Sequence, residues 1–168
     1  MQLILYMATT VNGYIADEDG ETPWSQAVWE SYYRLAKEFK AIIVGRKTYE
    51  VMQEVDEFKK IGSPFTLVVT NKSLRANPNI TIVKSPQAAL SILKEKNYTR
   101  VLIGGGGQLN ASFMKEKLID QLILDIEPLI FGQGIKLFEG EDFKAQLELQ
   151  ETKNLSKNTI QLRYKVLK

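Results

Sequence analysis

Apolar residues follow two rhythms in this chain. In residues 3–9 (LILYMAT), 41–45 (AIIVG), 65–70 (FTLVVT), 80–84 (ITIVK), 100–104 (RVLIG) and 120–130 (DQLILDIEPLI) they are nearly continuous. Such short, unalternating runs predict strands buried on both faces. Between them the apolar positions spread to helical spacing. Residues 24–39 set Val28, Tyr32, Leu35 and Phe39 on one face, and 47–55, 85–96 and 108–118 read as further helices. Ser85 and Pro86 supply an N-cap and a first-turn residue for the segment 85–96. Residues 143–155 and 159–167 predict a closing antiparallel pair, with Asn158 near its turn. Strands alternating with helices predict an α/β fold of three layers: a central mixed, mostly parallel sheet with an antiparallel C-terminal hairpin, and helices on both faces. No repeat, low-complexity tract or linker interrupts the 168 residues, so 1–168 is read as one domain.

Against this background residues 101–110, VLIGGGGQLN, stand out. Four glycines follow a predicted strand and precede a predicted helix, which leaves a linker nothing to link. In open α/β sheets ligands bind beyond the carboxyl ends of the strands. Three such ends carry suggestive residues: Arg46-Lys47-Thr48, Asn71-Lys72-Ser73, and the glycines. A helix N-terminus offers unpaired N–H groups to an anion. Glycines let a pyrophosphate approach the backbone, and a separate phosphate such as that of NADP pairs with Arg or Lys. The other reading is a tight turn beside solvated cations. The usual dinucleotide fingerprint is not met, because Asn110 stands where its third glycine would be.

Composition narrows the chemistry. There is no cysteine and no histidine. Disulfides, thiolate nucleophiles, the serine–histidine triad and nearly all zinc sites are excluded, and no metal site is expected. An enzyme so composed would draw its reactivity from a cofactor. The net charge is +2, which provides no global field toward nucleic acid or membrane. The first residues lack a signal-peptide pattern, and a cytoplasmic location is expected.

Four stretches in order carry a family resemblance: MATTVNGYIA (7–16), IVGRKTYE (43–50), VLIGGGGQL (101–109) and DQLILDIEPLIFGQGIKLFEG (120–140). Together they resemble the dihydrofolate reductase-like superfamily, most of all its branch related to the C-terminal reductase domain of bacterial riboflavin biosynthesis. The resemblance implies an NADPH-dependent reductase that transfers hydride to a C=N or C=O bond of a small heterocyclic substrate, similar to 5-amino-6-(5-phosphoribosylamino)uracil reductase. It places Ala8 and Ile15 at the nicotinamide, and Gly45, Arg46, Lys47 and Thr48 at the phosphates. Thr70, Asn71 and Lys72 would surround the adenosine ribose phosphate. Gly104, Gly105, Gly106 and Gly107, with Gln108 and Leu109, would take the pyrophosphate. Substrate would lie near Asn12, Trp24, Trp29 and Tyr49, with Asn12 and Tyr49 as the candidate catalytic residues and Thr10 or water as other proton sources.

The chain departs from the branch where Asn12 replaces an Asp and Ile103 a Glu. Trp29 stands where folate-reducing members carry an acid. Dihydrofolate reduction and a nucleotide-binding module without catalysis are the alternatives. A carboxylate facing the nicotinamide pocket would favour the first. The expected partner is a small molecule and, through the closing hairpin, a second copy in a homodimer.

Overall fold

The computed structural model describes residues 1–74 and 77–168. An eight-stranded sheet runs through it in the order β5-β4-β3-β6-β1-β7-β10-β9. Its strands are β1 (Gln2–Thr10), β3 (Ala41–Gly45), β4 (Phe65–Val69), β5 (Ile80–Val83), β6 (Arg100–Ile103), β7 (Gln121–Glu127), β9 (Gln146–Asn154) and β10 (Ile160–Leu167). The strands from β5 to β7 pair in parallel, and β10 is antiparallel to both β7 and β9. This is the mixed, mostly parallel sheet with an antiparallel closing hairpin that the apolar runs predict.

Alternation along β1 divides the core in two. Leu3 and Leu5 face a cluster that includes Ala89 and Leu93 of α4 (Pro86–Glu95) and Leu109, Phe113 and Met114 of α5 (Gly107–Lys115). Ile4 and Tyr6 face the other cluster, with Leu35 and Ala36 of α1 (Gln26–Ala36) and Tyr49 and Met52 of α2 (Arg46–Glu54). A sheet covered on both faces is why its central strands read as continuous apolar runs. Ser85 caps α4 as expected, its hydroxyl accepting from Ala88 N at 3.2 Å.

Several boundaries differ from the periodicity. The strand expected to reach 130 stops at Glu127, because Pro128 has no N–H to continue a ladder. The helix expected over 24–39 spans Gln26–Ala36, with Trp24 and Ser25 ahead of it. The helix expected to reach 118 ends at Lys115, where the chain turns through Lys117 at a left-handed φ of 56°. Three short elements have no counterpart in the apolar pattern. They are α3 (Glu57–Lys60) and the small antiparallel sheet of β2 (Tyr14–Ala16) with β8 (Ile135–Lys136). β9 forms one edge of the large sheet, opposite β5, and is exposed along its length. No helix of the described residues is long and apolar enough to cross a membrane.

Candidate functional site

Chain connections leave the neighbouring strands β1 and β6 in opposite directions: β1 leads through α1 to β3, and β6 leads through α5 to β7. A crevice beyond the strand ends is expected at such a reversal. The register opens it further. β6 stops at Ile103 opposite Leu5, whereas β1 runs on to Thr10. On that side the flank of β1 beyond Leu5 faces the glycine turn instead of another strand.

Two helices start beside this opening. α2 begins directly after β3 with Gly45 at its N-cap, and α5 begins after the glycines with Gly106 at its N-cap. Neither helix has a side-chain cap among the described residues. The two turns are tied together: Gly45 N donates to Gly105 O at 2.8 Å, and Gly104 N to Ile43 O at 2.9 Å. Two sets of first-turn N–H groups, each with the positive end of a helix dipole, therefore lie side by side.

The glycines have distinct duties. Gly105 takes a left-handed φ of 91°, and a methyl group there would lie 2.8 Å from Met7 Cε. A methyl group on Gly107 would lie 2.4 Å from Lys136 O, so this glycine lets β8 approach the start of α5. On Gly106 the same group would meet only the Thr48 hydroxyl, at 3.5 Å. Gly106 thus faces open space beside Thr48, the property a phosphate cradle requires. The 105–106 peptide is cis. Leu109 is buried under the turn, while Gln108 is exposed. Asn110, which spoils the dinucleotide fingerprint, is wholly buried, and its Nδ2 donates to Leu137 O at 2.9 Å.

The cations are arranged less uniformly than their spacing suggests. Arg46 Nη1 lies 2.7 and 2.8 Å from the two carboxylate oxygens of Glu50, an i,i+4 pair that partly offsets its charge. Lys47, Asn71 and Lys72 are exposed. Thr70 Oγ1 accepts from Lys72 N at 3.0 Å and shapes the turn after β4. Ala8 is buried near the end of β1, and half-buried Ile15 lies on β2.

The expected substrate residues divide among three places. Asn12 is a clamp: its Nδ2 donates to Phe131 O at 2.7 Å, and its Oδ1 accepts from Thr10 Oγ1 at 2.8 Å and Phe131 N at 3.3 Å. Trp24 stacks on Phe131, with centroids 6.3 Å apart at 13°. Asn12 and Trp24 therefore meet at one loop pair. Trp29 packs instead on Tyr33 at 5.9 Å and Tyr32 at 6.1 Å. Tyr49 lies in the α1–α2 core against Phe58, and its hydroxyl accepts from Asn77 Nδ2 at 3.0 Å.

Two carboxylates escape the sequence reading. Asp125 and Glu127 are two apart on β7 and stand opposite Ala8 and Thr10 in the register, so they share one face with them. Asp125 is fully buried and accepts from Tyr6 OH and Gln161 Nε2, each at 2.7 Å. Burial pushes its carboxyl above the ordinary range, and those two hydrogen bonds oppose the shift. Burial and the facing carboxylate push the Tyr6 hydroxyl up as well. Glu127 Oε1 accepts from Ser25 N at 3.0 Å and from Ser25 Oγ, fixing the start of α1 to the strand. The signal that could have revealed the pair is two acids at period two in an otherwise apolar strand. Among the described residues no cluster of acids is arranged to hold a metal ion.

Comparison with known proteins agrees with this fold. The chain is 28% identical over 167 residues to the uncharacterized protein YwjB of Bacillus subtilis, covering 96% of this chain and 95% of that one. It is 30% identical over 131 residues to the dihydrofolate reductase type 1 of Escherichia coli, covering 76% and 78%. A pyrimidine reductase-like protein from Corynebacterium diphtheriae superposes with a TM-score of 0.79 at 15% identity, covering 99% and 92% of the two chains. The likeness to dihydrofolate reductase supports a reductase-type function, and the superposition shows the shared fold. Residues 1–161 match the family described as RibD C-terminal domain, and with nearly the whole chain matched the protein belongs to that family.

Proposed function

We propose that this protein is an NADPH-dependent reductase that delivers hydride to a C=N or C=O bond of a small heterocyclic substrate. The observation that carries the reading is the pair of uncapped helix N-termini beside the open flank of β1. Gly104 to Gly107 with Gln108 and Leu109 would hold the pyrophosphate. Arg46 to Thr48 and Thr70 to Lys72 would hold the remaining phosphates, and Ala8 and Ile15 would border the nicotinamide. The bound cofactor would supply the hydride, leaving the chain to position and to exclude water.

Asn12 holds the first loop to the segment after β7, and Trp24 on Phe131 offers a flat apolar surface for a ring. Thr10 stands on the face shared by Ala8 and Glu127, but its hydroxyl donates to Asn12 Oδ1 at 2.8 Å, which leaves water as the proton source. The similarity to dihydrofolate reductase type 1, together with the two acids on the Ala8 face, favours folate as the second reading. Against it, Asp125 is sealed off and Glu127 is engaged with Ser25.

Titration with NADPH and NADH, followed by nicotinamide fluorescence, tests the cofactor. NADPH should bind more tightly, and Lys72→Ala should reduce the preference by about 10-fold, the loss of one charge-assisted contact. Arg46→Ala should act in the same direction. NADPH oxidation with a panel of oxidised pyrimidines, pterins and dihydrofolate then separates the substrate readings. Binding without turnover of any of them would favour a non-catalytic module.

A further inference from the structure

We propose a second binding site, separate from the cofactor cradle, for a small oxyanion of phosphate size between α1 and the C-terminal hairpin. A cavity of about 140 Å³ lies there, lined by Ser31, Arg34, Glu38, Lys153, Gln161 and Arg163 among others. Pockets for drug-sized ligands run to about 300–1,000 Å³. At about 140 Å³ this one is smaller, which suits a small ion better than a nucleotide.

Its lining carries a net positive charge. Arg34 comes from α1, Lys153 from β9 and Arg163 from β10, with Glu38 as the opposing charge. Among the described residues neither Arg34 nor Lys153 forms an ion pair. Arg163 Nε is buried without a hydrogen-bond partner. It is ion-paired with Glu151 Oε2 at 3.6 Å, a separation too long for a hydrogen bond. A buried guanidinium N–H without a hydrogen bond is costly, and Arg34 and Lys153 add positive charge that no ion pair offsets among the described residues. An oxyanion between them would satisfy both, and planar guanidinium groups match its oxygens.

The floor is rigid. Gln161 Nε2 donates to Ser31 Oγ at 3.0 Å and to Asp125 Oδ1 at 2.7 Å, and both Gln161 and Ser31 are buried. The site also lies on the far side of β1 from the glycine turn, since β7 and β10 separate β9 from β1 and the cradle belongs to β3 and β6. It does not depend on the cofactor reading.

Calorimetric titration with inorganic phosphate, and separately with malonate, against sodium chloride of equal ionic strength tests the proposal. Saturable binding of either oxyanion is expected, and the tighter one identifies the ligand chemistry. It should persist in Arg46→Ala/Lys72→Ala and weaken at least 10-fold in Arg34→Gln/Lys153→Gln. Both of the latter side chains are exposed, so the unfolding midpoint of that variant should match the wild type. Absence of saturable binding, its survival in Arg34→Gln/Lys153→Gln, or its loss in Arg46→Ala/Lys72→Ala would overturn the proposal.

Discussion

Asn12 shows how one side-chain amide can pin two loops together. It donates to one backbone group of Phe131 and accepts from the other, and an ionised carboxylate of the same shape could only accept. Asn12→Asp sets a carboxylate against the Phe131 carbonyl and should destabilise the fold by about 1 kcal/mol, measured by urea unfolding. Unchanged stability would mean that the clamp does not hold the loop. Asp125 makes a stronger case. Asp125→Ala leaves Tyr6 OH and Gln161 Nε2 without their acceptor and should cost roughly 3 kcal/mol, while Asp125→Asn should cost much less. The sign with pH follows from burial. A carboxyl raised in the folded state binds its proton more tightly there than in the unfolded chain. Its contribution to stability therefore falls as pH rises from about 4, the ordinary Asp value, through the folded value. Asp125→Asn should flatten that part of the stability–pH curve. At this scale the sequence was least informative. The identity of Asn12 was legible, its partner 119 residues away was not, and the role of Asp125 emerges only when β1, β7 and β10 are in register.

At the level of elements, the glycine run separates into packing and binding positions. Gly107→Ala drives a methyl group into Lys136 O and should destabilise the protein, whereas Gly106→Ala has an ordinary extended φ and room beside Thr48. Gly106→Ala should therefore unfold like the wild type yet bind NADPH about 10-fold or more weakly. The opposite pattern would assign the turn to structure alone. The buried strands and main helices are legible because apolar runs and helical spacing extend over several residues. The sheet of β2 and β8 is not, because β8 has two residues and its existence depends on the loops that Gly13 and Asn12 bring together. The end of β7 was marked by Pro128, a signal that the apolar residues after it obscured.

Across the whole molecule, the alternation of strands and helices foretells a sheet covered on both sides, and the family match agrees. Strand order is a different matter, since nothing local says that β6 inserts between β3 and β1. That insertion brings residues 45–48 and 104–107 together and leaves β1 open at Ala8. The cavity at the other end of the sheet depends equally on topology, because Arg34 and Arg163 meet only when β10 lies beside β7. In the proposed function, the two helix starts beside β1 form a dinucleotide phosphate site. Fluorescence titration of wild type and Gly106→Ala with NADPH, with unfolding curves for both, tests it most directly. Binding by the wild type that is weakened in an equally stable Gly106→Ala is the predicted result. No binding by the wild type, or equal binding by both, would contradict it.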